Sequence, residues 1–173
     1  MNNKLIFTGI FVIVLSLTGC ASVKEATQTV YSGQKSVSEF TGVLEANPNG
    51  VLANRNGEKM RTQIISYQFV EGNRVYFCTG SEKPIYEQLL KFPFVSYCCY
   101  PENFEPVLSL NGKVVFTDDK ALMERAFNGT GYASGFIRRH YQTIDNPNLK
   151  LFYIDVDIIE TYSNDGPKVY MTK

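Results

Sequence analysis

Glycine and asparagine at short, regular intervals restrict this chain more than any other feature of its sequence. Asn56-Gly57 separates a β-rich run at Gly50–Asn54 from a longer one at Lys59–Val70, and Glu71-Gly72-Asn73 separates that from Arg74-Val75-Tyr76-Phe77-Cys78-Thr79. Tight hairpin loops need a positive φ that Gly and Asn accept, so the pattern predicts three consecutive antiparallel strands in a meander.

The pattern continues with a change of period. After Gly80, Ser81 is placed to cap a short helix, Pro84 suits its first turn, and Ile85, Leu89 and Leu90 fall on one face. Phe92–Tyr100 reads as a strand. Pro106–Thr117 reads as a hairpin around Asn111-Gly112 or, as we favour, one bent strand with a bulge. Asp118–Phe127 reads as a helix capped by Asp118 or Asp119, and Gly131–Thr143 as a loop or second helix. Leu149–Thr161 alternates as a strand, with Lys168–Met171 beside it. Six or seven mainly antiparallel strands with few helices predict a mainly β fold, a small barrel, in one domain without internal repeats.

The N-terminus follows another logic. Lys4 precedes Leu5–Leu17, 13 almost wholly apolar residues. As a helix they reach only about 20 Å, short of a hydrocarbon core of roughly 30 Å, which favours an export leader over a stable span. The run ends in Leu17-Thr18-Gly19-Cys20, which resembles the bacterial lipoprotein box, where the Cys thiol is lipidated and the leader is cut before it. The expected organisation is a leader over 1–19, a lipidated Cys20 with a polar tether to residue 38, and a folded domain over 39–173. The lipid supplies membrane attachment without a basic patch, and the expected location is the bacterial cell envelope. With 17 Lys+Arg against 17 Asp+Glu, no broad positive field exists to bind nucleic acid.

Familiar catalytic chemistries are poorly represented. Beyond Cys20 the cysteines are Cys78, Cys98 and Cys99, without zinc-type spacing. Being odd in number they cannot all pair within the chain; they read as buried thiols, with one bridge from Cys78 to either neighbour as the alternative. Cys98 and Cys99 would point to opposite faces of a strand. His140 is the single histidine, and beside Arg138 and Arg139 it reads as the basic end of a helix. Gly131-Tyr132-Ala133-Ser134-Gly135 places its Ser one position late for a nucleophile elbow.

One constellation carries chemistry. Arg61 lies on the second strand, and Thr79-Gly80-Ser81-Glu82-Lys83 joins the third strand to a helix N-terminus. Free backbone N–H groups, close approach at Gly80, the Thr79 and Ser81 hydroxyls and the Lys83 and Arg61 cations suit a phosphate; an ordinary Ser cap with exposed cations is the plainer alternative.

The ordered set Gly50-Val51-Leu52-Ala53, Gly57-Glu58-Lys59-Met60-Arg61, Arg74 to Lys83, Tyr86-Glu87-Gln88-Leu89, Phe92-Pro93-Phe94-Val95 and Asn111 to Phe116 resembles the pyridoxamine 5′-phosphate oxidase-like, FMN-binding split-barrel family. The resemblance runs from about Glu39 to the C-terminus. It implies a six-stranded antiparallel split β-barrel, a homodimer with flavin at the interface, and an FMN-dependent oxidoreductase acting on a small substrate. It further implies that Arg61, Thr79, Gly80, Ser81 and Lys83 hold the FMN phosphate, and that Thr62 and Gln63 run beside the isoalloxazine. The chain departs from the family pattern at Gln63 and Glu82, where relatives carry a second cation. Within the same fold a deazaflavin, a haem or no cofactor at all are the alternatives, the last two as a binding or interaction module.

Overall fold

The computed structural model describes residues 31–172; the leader and Cys20 lie outside them. The strands are β1 (Gly33–Gln34), β2 (Asn49–Asn56), β3 (Lys59–Glu71), β4 (Arg74–Gly80), β5 (Phe94–Cys99), β6 (Val107–Thr117), β7 (Leu149–Ser163) and β8 (Gly166–Met171). The helices are α1 (Thr41–Ala46), α2 (Pro84–Lys91), α3 (Lys120–Asn128) and α4 (Tyr132–Tyr141). The sheet runs β1-β8-β7-β4-β3-β2-β5-β6, and a further β6–β7 pairing closes β7, β4, β3, β2, β5 and β6 into a six-stranded antiparallel barrel.

The meander forms as its turns predict. Asn56 pairs with Lys59 across Gly57, whose φ is +67°, and Glu71 pairs with Arg74 across Gly72, whose φ is +58°. β6 is one bent strand: its register against β7 shifts between Asn111 and Gly112. A side chain at Gly112 would meet the Asp155 carbonyl oxygen at 2.2 Å, so the bulge needs glycine there.

Two strands exchange partners along their length. β3 pairs with β2 over residues 59–66 and with β4 over residues 67–71, with an irregularity between Tyr67 and Phe69. β7 pairs with β4 through Leu149–Asp155 and with β8 from Ile158 onward, while β6 lines its other edge.

Inside the barrel, Leu52, Phe77, Tyr97, Leu108, Leu110, Phe152 and Ile154 are wholly buried, each worth about 1.5–3 kcal/mol for a large apolar side chain. Phe77 sits between Tyr97 and Phe152 at centroid separations of 4.9 and 5.4 Å. Val75, Tyr76 and Phe77 are buried in succession, because α3 and α4 cover the outer face of β4 and β7. Alternation is lost wherever a strand is sandwiched in this way.

The chain is packed earlier than residue 39. β1 pairs in parallel with β8, Ser36 caps a 3₁₀ turn over Val37–Phe40, and Val37 and Leu44 are wholly buried. Asn73 joins the two ends of the described residues, accepting from Val37 N–H and donating to the Thr172 carbonyl.

Candidate functional site

The barrel is split where β3 and β4 part. Tyr67 pairs with Phe77, but Cys78 and Thr79 have no partner on β3, and β3 before Tyr67 is paired on its β2 side only. A cleft of about 290 Å³ fills this gap. One wall is Gln63, Ile64, Ile65, Ser66 and Gln68 of β3; the other is Cys78, Thr79, Lys83 and Ile85; α4 contributes Tyr132, Phe136, Ile137 and Tyr141. The unpaired backbone of β3 therefore borders a slot lined by Ile64, Ile65, Ile85, Phe136 and Ile137, with Gln63, Thr79 and Lys83 among its polar groups. Such a slot suits a planar heterocycle.

The α2 junction positions Lys83. Pro84 takes the first helical position, where its missing N–H costs nothing, so the cap falls on Lys83 and not on Ser81. No side chain caps this end; Ser81 instead hydrogen-bonds Asn148 through both backbone and hydroxyl. Lys83 Nζ lies 5.9 Å from the Tyr141 ring centroid. The Tyr141 hydroxyl is buried without a hydrogen-bond partner among the described residues. Burial, aided by the nearby Glu82 carboxylate, pushes it up to about 12; Glu82 acts electrostatically there, outside hydrogen-bonding geometry. An orphaned donor beside a lysine, both lining one cleft, fits a ligand with an anionic or acceptor group.

The expected residues divide between two neighbouring cavities. Thr79, Lys83 and Gln63 line the cleft. Arg61 is exposed and lines a smaller cavity of about 220 Å³ with Thr62, Gln63, Lys83, Pro84, Ile85 and Gln88. Gln63, Lys83 and Ile85 form the shared wall. Gly80 is buried, and the space where its side chain would be holds the Glu82 carboxylate at 2.2 Å. Ser81 lines neither cavity.

The described cysteines, Ser134 and His140 form no nucleophile–base pair. Burial pushes Cys78 and Cys99 up to about 12. The three described cysteines are free thiols, with Cys78 against the helices and Cys99 in the barrel core. Ser134 sits inside α4, buried and donating to Gln68, so it forms no nucleophile elbow. His140 is exposed on α4, stacked at 6.1 Å on Phe136 of the cleft rim. Tyr141 is among the site residues that sequence alone misses: its signal, the last of three aromatics in a short basic helix, becomes specific only when α4 folds over β4.

This geometry is that of a split β-barrel. No protein-family model and no curated protein matches the sequence. Among solved structures, a NimC/NimA-family protein from Clostridium acetobutylicum is similar with a TM-score of 0.66 at 16% identity, over 77% of this chain and 91% of that one. A pyridoxamine 5′-phosphate oxidase-related, FMN-binding protein from Nostoc punctiforme gives 0.58 at 15%, over 78% and 89%. A heme-binding protein from Mycobacterium smegmatis gives 0.63 at 13%, over 75% of this chain and 55% of that one. The fold is thus the six-stranded split barrel of pyridoxamine 5′-phosphate oxidase-like proteins.

Proposed function

We propose that the chain is a member of that FMN-binding family, an envelope lipoprotein anchored through Cys20 that holds FMN in the split between β3 and β4. The observation that carries this reading is the meeting, in one cleft, of an unpaired β3 backbone, an orphaned Tyr141 hydroxyl and the Lys83 ammonium. Ile64, Ile65, Phe136 and Ile137 would bury the ring faces and exclude water, and the backbone at Gln63 would meet its polar edge. Thr79, Lys83 and Tyr141 would hold the phosphate, with Arg61 adding charge from the adjoining cavity. Flavin supplies hydride and electron transfer; Tyr141 and Cys78, both raised to about 12, stay protonated at neutral pH and act as donors and packing. The reading is therefore an oxidoreductase acting on a small substrate that approaches the flavin.

A second copy completes the site in this reading. Val51, Met60, Ile64 and Phe94 are exposed on neighbouring strands β2, β3 and β5, and Ile64, 77% exposed, also lines the cleft. A homodimer through this face would cover the apolar strip and roof the flavin.

The test is the visible spectrum of the purified full-length chain, before and after added FMN. A flavin band, weakened in Lys83→Ala, is expected; a colourless chain that takes up no FMN overturns the reading. A Soret band lost in His140→Ala would instead support haem, which the stacking of His140 on the cleft rim favours as the second reading.

A further inference from the structure

One end of the barrel presents aromatic side chains to solvent. Tyr100 and Phe104 stack at 4.6 Å in the loop between β5 and β6, and Phe104 is 59% exposed. Tyr162, 54% exposed, stands near the end of β7, where it pairs with Val107 at the start of β6. The loop is tied to the β7–β8 turn by Asn164 N–H donating to Glu105 at 2.8 Å, and to the segment after α1 by Asn47 donating to the Tyr100 carbonyl at 2.9 Å. Phe104 holds φ +58°, a left-handed conformation that bulky side chains avoid, with its ring turned outward. The loop is thus fixed in a shape that exposes the ring.

The N-terminal chain leads toward this same end. β1 runs parallel to β8, with Gly33 opposite Tyr170 and Ser32 N–H donating to the Val169 carbonyl. Traced backward, the chain therefore moves from Met171 toward Gly166, where the β7–β8 turn meets the aromatic loop. Tyr31, the first described residue, is itself 44% exposed. Cys20 precedes it by eleven residues, a length that spans at most about 38 Å.

We propose that this aromatic end seats against a bilayer surface of zwitterionic headgroups without net charge, an inference that rests on lipid attachment at Cys20. Tyr and Phe side chains favour the headgroup boundary, and a short tether leaving from the same end holds them within reach of it. Glu102 and Glu105 flank Phe104 in the loop, and Asp165 lies in the β7–β8 turn tied to that loop, where Lys168 pairs with it, so the surface selected is zwitterionic and anionic lipid weakens the contact.

The chain contains no tryptophan, which makes single reporters clean. The full-length lipidated protein carrying Tyr162→Trp or, at the far end of β5, Phe94→Trp is bound to phosphatidylcholine vesicles with brominated acyl chains. Flotation reads the anchor and fluorescence quenching reads the seating. Side chains seated about 5–10 Å into the boundary should be quenched about threefold more at position 162 than at 94. Adding Phe104→Gly, which relaxes the backbone at φ +58°, should keep the urea midpoint and lower the 162 signal to the 94 level. A protein that floats with equal quenching at both positions overturns the seating and leaves the anchor standing. Undiminished quenching in Phe104→Gly overturns the role of that ring, and a protein that does not float overturns the anchor and the seating together.

Discussion

Replacing Glu82 by Gln should tighten FMN binding while leaving riboflavin, which has no phosphate, unaffected. The Glu82 carboxylate lies 2.2 Å from the position a Gly80 side chain would take, so its negative charge is folded back against the β4–α2 junction. For a phosphate held by Thr79 and Lys83 and taken at about 5 Å from this carboxylate, each unit of its charge costs about 0.8 kcal/mol in water-like dielectric, or about 1.7 kcal/mol for a dianion. Screening at physiological ionic strength roughly halves this, so Glu82→Gln should lower the FMN Kd about 5- to 20-fold, the larger gain at low salt. Glu82→Lys should add a similar increment. The assay is flavin fluorescence on titration with full-length protein, FMN beside riboflavin, at two salt concentrations. An FMN Kd within twofold of the parent at low salt, or an equal change for riboflavin, would refute a phosphate seat at Thr79 and Lys83 beside Glu82.

Three further outcomes concern the scaffold. Tyr97→Phe removes a hydroxyl buried without a partner, and should raise stability by about 1 kcal/mol, or roughly 2–4 °C in thermal midpoint by calorimetry. Gly112→Ala drives a methyl into the Asp155 carbonyl and should cost about 3 kcal/mol in urea unfolding, whereas Gly80→Ala meets only the mobile end of Glu82 and should stay within about 0.5 kcal/mol. Cys78 and Cys99 rise from 9.0 to about 12 in the folded chain. The unfolded chain then loses these protons first, so stability is full below pH 9 and falls as pH rises toward 12, by about 1.4 kcal/mol per unit for each thiol, measurable as the pH dependence of the urea midpoint.

The parts legible in the sequence are those fixed locally. Gly57 and Gly72 announce their turns because few other residues accept a positive φ, and Asp119 announces α3 because its carboxylate accepts from Ala121 and Leu122 N–H. The bulge at Asn111/Gly112 is legible as a bend, though its cause, the Asp155 carbonyl, lies 43 residues away. Distance in sequence explains what is missed. β1 and Val37 look like tether residues until β8 and Asn73 arrive to pair with them. α4 lacks a capping side chain and reads as a loop as readily as a helix, so the cleft wall it carries, Tyr141 included, is invisible beforehand. Of the phosphate constellation, Lys83 and Thr79 line the same cleft; Ser81 departs because Pro84 opens the helix and moves its cap to Lys83.

The partner exchange along β7 bears on how the protein tolerates crowding. Once β4 ends its pairing at Asp155, β8 takes over the ladder from Ile158, and β1 in turn shields the last residues of β8. Exposed strand edges recruit neighbouring molecules into aggregates. Gly33 and Gln34 thus cover the end of the β8 edge, and Val37 fills the core beneath it. A shortened chain beginning at Glu39 would lose both that shield and the Val37 plug, and should precipitate where one beginning upstream of Gly33 stays dispersed.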